Sequence, residues 1–143
     1  MLTEPVVLSL LKRFLKARGY TDIVVVNGRT HGDDLRATPP KGDFVLHVEA
    51  KGQTSSMESS KRFGRPFSHA QIRDHMATAI YKALCMRSQS SRGAKRRIAL
   101  ALPDIPAKRN VYGPVASALR ELDIGVFWVA PDRTIKLDAR WKL

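Results

Sequence analysis

The sequence predicts an α/β fold in which helices flank a mixed β-sheet. Hydrophobic periodicity gives the element order helix, three strands, helix, strand, helix, two strands. The first three strands are short and separated by turns, which is typical of an antiparallel meander. A strand, a helix and a strand in the second half favour a parallel pair joined by a right-handed crossover. Together these observations indicate a mixed sheet with helices on both faces.

The chain begins with a predicted amphipathic helix and a β-branched strand. Thr3 is the expected N-cap, Pro5 lies in the first turn, and Gly19 is expected to end the helix. The apolar positions of this helix recur at helical spacing: Val6, Val7, Leu10, Leu11, Phe14 and Leu15. Residues 22–26 form the first predicted strand, either at the edge of the sheet or inside it.

Residues 32–53 carry the acids and the lysine on which a functional hypothesis depends. Two strands flank a proline and glycine turn at residues 39–42. Because side chains alternate along a strand, Glu49 and Lys51 point to one side, together with His47, which we expect to be packed and hydrogen-bonded. The other side is apolar: Phe44, Leu46, Val48 and Ala50. Pairing across the turn would bring Asp34 close to Glu49 and Lys51.

The second half continues with buried elements. A loop at residues 54–67 leads to a helix at 68–86, whose apolar face is expected to comprise Ile72, Met76, Ala79, Ile80, Ala83 and Met86. Residues 98–102 read as a buried strand. One helix should carry the apolar residues Val111, Val115, Ala118, Leu119 and Leu122. Strands at 126–129 and 134–137 follow, and Phe127 and Trp128 are expected to lie in the core.

Length and composition restrict the class of protein. A chain of 143 residues fits a single domain, 1–143, with enough apolar surface for a core. Cys85 is the single cysteine, so neither a disulfide nor a cysteine zinc site is expected within the chain. We also expect no secretory signal, because Glu4 precedes the first basic residue, Lys12, and no membrane span, because no apolar run is long enough to cross a bilayer. A cytoplasmic protein is therefore expected.

The charge predicts a polyanionic partner. Lys and Arg number 25 against 13 Asp and Glu, a formal net charge of +12. Such a surface attracts phosphates and releases their counterions, although charge alone does not separate DNA from RNA or from an anionic membrane. The residues expected to contact nucleic acid lie in two basic segments and at the start of the second helix: Lys61, Arg62, Arg65, His69, Gln71, Arg92, Lys95 and Arg96.

The acids and the lysine suit phosphate chemistry assisted by a metal ion. Asp34, Glu49 and the carbonyl of Ala50 could supply the hard oxygen ligands that Mg²⁺ or Mn²⁺ prefers. A bound metal would make hydroxide available and polarise a phosphoryl oxygen. Lys51 could orient the attacking water or stabilise charge on the phosphate, and Gln53 could hold the nucleophile or a phosphate.

Two motifs resemble those of the PD-(D/E)xK nuclease superfamily. Gly32-Asp33-Asp34-Leu35 corresponds to its first motif and Glu49-Ala50-Lys51 to its second. The resemblance implies a restriction-endonuclease-like core and metal-dependent cleavage of DNA, with Asp34 and Glu49 as metal ligands and Lys51 as the catalytic lysine. Asp33 stands where the name-giving proline would be, which leaves two candidate aspartates. Alternation along the strand favours Asp34.

The same resemblance brings in three further residues. In branches such as the archaeal Holliday-junction resolvases an acid on the first helix joins the metal site, and Glu4 is similar to it in position. The helix dipole explains Glu4 equally well. Gln53 is similar to the glutamine that follows the lysine in some branches, and Gln71 to a polar residue of the next helix.

The leading hypothesis is a metal-dependent endonuclease that hydrolyses DNA phosphodiester bonds in duplex or branched DNA. A homodimer would suit the cutting of two strands. The alternatives are a non-catalytic nucleic-acid-binding module with the same fold, and an assembly subunit whose basic surface meets an acidic protein.

Overall fold

The protein is a mixed α/β structure built on one open sheet of six strands. The computed structural model describes residues 1–26, 33–55, 57, 59–61, 63–89 and 95–143. The helices are α1 (Glu4–Lys16), α2 (His69–Ser88), α3 (Pro106–Tyr112) and α4 (Ala116–Glu121). The strands are β1 (Thr21–Val25), β2 (Leu35–Thr38), β3 (Val45–Ala50), β4 (Arg96–Pro103), β5 (Ile124–Val129) and β6 (Ile135–Asp138). Within the described part, no helix is both long and apolar enough to cross a membrane.

The strands lie in sequence order across the sheet. The predicted meander is confirmed, since β1, β2 and β3 pair antiparallel, and β1 lies at the edge with mostly exposed side chains. The predicted parallel pair of β4 and β5 is confirmed as well. In addition, β3 and β4 are parallel, because α2 returns the chain to the end of the sheet at which β3 began. The carboxyl ends of β3, β4 and β5 therefore meet at one edge.

Alternation along the central strands divides the core into two layers. Leu46, Val48 and Ala50 of β3 pack in the layer under α1, as the apolar face of this strand predicts. On β4, Ala99 and Ala101 face the same layer. The odd positions of β3 and the even positions of β4 face the other layer, which α2, α3 and α4 cover. Helices therefore lie on both faces of the sheet, and Glu49 points toward α2.

The third helix is not the continuous element that the apolar spacing predicts. A 3₁₀ turn at Gly113–Val115 separates α3 from α4. Pro114 has no amide hydrogen and disfavours a regular helix at the residue before it, so the chain tightens there. As a result Leu119 is buried while Leu122, predicted on the same apolar face, is 43% exposed.

A close approach joins the start of α1 to the end of β3. The Gln53 amide donates to the Leu2 carbonyl at 2.8 Å, and the Leu2 amide donates to Gln53 Oε1 at 3.1 Å. Gly52 lies between these contacts, and a Cβ placed there would be 2.6 Å from the Glu4 amide nitrogen. Only glycine leaves room for the first turn of α1, so Gly52 sets the position of Glu4.

Gly52→Ala should therefore destabilise the fold, because neither backbone can move away freely. We expect the melting temperature to fall by more than about 5 °C, as for a well-packed site that is overfilled. Gly113→Ala is the matched control, since no atom lies within 4 Å of its added Cβ and its φ is helical. Equal melting temperatures of the two variants in thermal denaturation would contradict the close approach.

Candidate active site

Glu49 is a buried carboxylate held between two ammonium groups. Its side chain has no exposed surface, and Oε1 lies 3.1 Å from Nζ of Lys51 and 3.1 Å from Nζ of Lys82. Its other oxygen, Oε2, is buried and makes no hydrogen bond with any residue that the structure describes. An ionised group in this position is strongly desolvated, so the two lysines offset much of its cost. Among the described residues, Oε2 is thus left without a partner.

Asp34 lies beside Glu49 at the same edge of the sheet. Its amide donates to the Val48 carbonyl at 2.9 Å, which continues the pairing of β2 with β3 by one residue. The Ala50 amide donates to Asp34 Oδ2 at 2.8 Å. The structure thus brings Asp34, Glu49 and the main chain of Ala50 together, as the pairing across the turn predicts. Gly32 of the first motif lies outside the described residues.

Glu4 is the third acid of this region, and Asp34 acts electrostatically on both Glu4 and Glu49. It occupies the first turn of α1, where Gly52 allows it to approach. Burial raises the pKa of Glu4, Lys51 lowers it, and Asp34 raises it. For Glu49, burial and then Asp34 raise the pKa to about 7, against the lowering by Lys51 and Lys82. These carboxyl groups lie close enough to disfavour simultaneous ionisation in the absence of a further cation.

A cavity of about 280 Å³ opens beside these acids. It lies between the start of α1, the end of β3, the segment that follows β3 and the first half of α2. Its lining comprises Glu4, Lys51, Gly52, Thr54, Ser55, Met57, Phe67 and His75. Phe67 and His75 make an edge-to-face contact with ring centroids 4.4 Å apart. Lys51 borders the cavity directly, whereas Glu49 lies behind Lys51 and does not line the cavity.

Asp33 binds His47 and Arg36 instead of the end of β3. Its Oδ2 lies 2.9 Å from His47 Nδ1, and its two carboxylate oxygens accept from Arg36 at 3.3 Å. Although burial raises the pKa of Asp33, the hydrogen bonds from His47 and Arg36 hold it at about 2. His47 is a packed, hydrogen-bonded histidine, as expected. Of the two aspartates, Asp34 is the one that contacts the end of β3.

The two glutamines hold main-chain groups. Gln53 bonds to Leu2 through both its amide and its side chain, and it does not line the cavity. Gln71 forms a capping box with Ser68, whose amide donates to Gln71 Oε1 at 2.9 Å. Their contacts therefore fix the start of α1 and the start of α2. A role for either in holding phosphate stays a prediction.

The predicted nucleic-acid contacts that the structure describes do not form one cluster. Lys61 and Arg65 are exposed in the segment between β3 and α2, other residues of which line the cavity. Exposed His69 lines a separate, largely apolar groove between α2 and α3. Lys95 and Arg96 lie at the start of β4, beside Val45, four residues and about 13 Å along β3 from Glu49. Arg62 and Arg92 lie outside the described residues.

The carboxylates are the type of ligand that a divalent cation prefers, but their side chains are not already arranged around one point. Among the described residues, no three side chains of the types His, Cys, Asp or Glu converge closely enough to hold a metal ion. The unpartnered Oε2 of Glu49 and the neighbouring carboxylate of Asp34 are nevertheless the hard oxygen donors that such an ion prefers. A cation there would also relieve the repulsion among the acids.

Three residues of the site are not singled out by motif or charge. His75 of α2 lines the cavity, Lys82 of α2 contacts Glu49, and the charge of Lys108 on α3 lowers the pKa values of Glu4 and His75. The spacing in the sequence could have indicated His75 and Lys82. They lie seven residues apart, on the same side of the helix as buried Ala79 and Met86. Basic or titratable residues that fall within an apolar helical stripe are thus candidates for the site.

The raised pKa of Glu49 predicts a pH dependence of stability in the metal-free protein. The folded chain retains a proton up to about pH 7 that the unfolded chain releases near its ordinary pKa of 4.5. This contribution is fully present below pH 4.5 and is lost as the pH rises to about 7. Wild type should therefore lose several degrees of melting temperature relative to Glu49→Gln across that window, measured with a chelator present.

Glu121→Gln is the control for this titration, since Glu121 is exposed at the end of α4. Its melting temperature should follow that of the wild type at every pH. A constant difference between wild type and Glu49→Gln from acid to neutral pH would contradict the raised pKa.

Comparison with known proteins identifies no relative of this chain. No protein-family model, no curated protein and no solved structure matches the chain. The function therefore has to be argued from the buried carboxylate, its two lysines and the cavity beside them.

Proposed function

We propose that the chain is a metal-dependent endonuclease with a restriction-endonuclease-like core of the PD-(D/E)xK type. The observation that carries this proposal is the buried Glu49, with an unpartnered oxygen, beside Asp34 and Lys51 at the carboxyl edge of β3. The order of helix, three-strand meander, helix and strand supports the proposed core. The net charge of +12 supports a nucleic acid as the substrate, and the resemblance of the two motifs favours DNA, duplex or branched.

Each residue has a definite part in this proposal. Asp34, Glu49, the main chain of Ala50 and, from α1, Glu4 would hold Mg²⁺ or Mn²⁺. When bound, such a cation supplies polarisation of a phosphoryl oxygen and a more acidic water. Lys51 faces the cavity, where its ammonium can neutralise charge that grows on the phosphate. The aromatic and hydroxyl side chains of the lining orient the nucleic acid.

Lys82 holds the site ready for the cation. Its ammonium contacts the same Oε1 as Lys51, and its side chain is 40% exposed, so it has room to swing away. Burial lowers the pKa of Lys82, but Glu49, Asp34 and Glu4 together raise it above the ordinary value. Lys82 thus neutralises the acids when no cation is bound, and an entering divalent cation would displace it.

The first test is cleavage of plasmid, linear and branched DNA with Mg²⁺ or Mn²⁺. Glu49→Gln and Lys51→Met should each lower the rate by about 100-fold or more, because the first removes a proposed metal ligand and the second removes the cation that would neutralise charge on the reacting phosphate. Glu121→Gln, an exposed change of the same kind, should cleave like the wild type. A wild type inert toward every substrate, or site variants as active as the control, would refute the nuclease.

The second test measures cation binding without DNA. Lys82→Met removes the competing ammonium, so titration calorimetry should show Mn²⁺ binding about 3- to 10-fold more tightly than in the wild type. Lys12→Met makes the same change in net charge from an exposed position on α1 and should alter the affinity little. Unchanged or weaker binding by Lys82→Met would contradict its displacement.

A non-catalytic nucleic-acid-binding module is the second candidate. The observation in its favour is that both lysines already neutralise Glu49, while no group of three metal-ligating side chains converges in the described part of the chain. Such a module would bind DNA with a steep salt dependence and no requirement for metal. Oligonucleotide binding that is indifferent to Mn²⁺, together with absent cleavage, would favour it. A homodimer is compatible with either function.

A further inference from the structure

Lys108 is a charged side chain in the interior of the protein. It has no exposed surface, and its Nζ makes no hydrogen bond within the described residues. Burying an ammonium without a hydrogen-bonded partner is strongly unfavourable, and large hydrophobic side chains occupy comparable positions at little cost. Neither the two motifs nor the contacts of Glu49 account for this residue. Its retention in the core needs a reason outside the fold.

The topology brings Lys108 to the edge that carries the candidate active site. The Lys51 amide donates to the Ala101 carbonyl at 3.0 Å, so the end of β3 stays paired with β4. Two residues beyond Ala101, β4 ends at Pro103, and α3 begins at Pro106 and packs against α2. Lys108 therefore enters the interior one strand away from the cavity.

Three charged or titratable groups from three elements interact electrostatically with this ammonium. They are Glu4 of α1, Lys51 at the end of β3 and His75 of α2, and all three line the cavity. Burial, and then repulsion from Lys51, lowers the pKa of Lys108 to about 8, while Glu4 raises it. The cavity thus has one ammonium in its wall and a second one behind it. An anion placed between them would relieve their repulsion.

We propose that Lys108 is a positioning residue that draws a substrate phosphate into the cavity and holds it at Lys51, although its burial destabilises the fold. This inference rests on the proposed function, because it takes the cavity as the place where a phosphate binds. A charge in a poorly solvated interior acts over a longer distance than one on the surface, so contact with the phosphate is not required. Replacement of Lys108 by an apolar residue should therefore stabilise the fold and weaken the binding of a phosphate.

The test compares Lys108→Met with wild type in two measurements. The melting temperature of the variant should be higher by about 3–6 °C, because the desolvated charge is gone. Its affinity for a short fluorescent DNA oligonucleotide, in metal-free buffer and near-physiological salt, should be about 3- to 10-fold weaker. Lys136→Met, an exposed change of equal charge on β6, should alter the melting temperature little and the affinity by less than twofold.

Every outcome bears on the role of Lys108. A variant that unfolds or melts below the wild type would show that the lysine supports the fold and would overturn the proposal. Unchanged affinity, or a loss equal to that of Lys136→Met, would overturn it too. Oligonucleotide binding needs no cleavage, so a wild type that binds DNA and cuts none would refute the nuclease while leaving this test intact.

Discussion

The burial of the Glu49 carboxylate is the constraint on which the candidate site depends. A desolvated acid can persist only if cations or protons compensate it. The structure supplies both, through two ammonium groups on one oxygen and a pKa raised to about 7. β3 lies in the middle of the sheet, with α1 on one face and α2 on the other, and this position keeps water away from the carboxylate.

The polar edge of the sheet is balanced rather than simply basic. Acids from α1, from the start of β2 and from the end of β3 meet lysines from β3, α2 and α3, so five segments contribute charge to one region. The charge of each of these groups is offset by several neighbours and not by one partner alone. Such a set responds strongly to an added charge, whether a cation beside the acids or a phosphate beside the lysines, because either one shifts the whole balance.

Much of the fold could be predicted from the sequence because the strands alternate cleanly and the turns are marked by proline and glycine. The site was predictable as far as local spacing reaches: Glu49 and Lys51 share a face by alternation, and Asp34 follows from pairing across one turn. Lys82 and Lys108 depend on how helices pack onto the sheet, which no local pattern specifies. For Lys82 the only signal in the sequence was its position on the same side of α2 as buried apolar residues.

Hydrogen bonds of Gln53 close the base of the segment between β3 and α2 and also hold the start of the chain. The Gln53 carbonyl accepts from the Phe67 amide at 3.2 Å, so the intervening segment leaves and rejoins the body at one point, while the same residue also grips Leu2. A segment closed at its base can vary in length and composition at its tip without moving what lies beneath. The tip of this segment could therefore acquire residues that recognise a different partner, while Thr54 and Ser55 at its base continue to line the cavity.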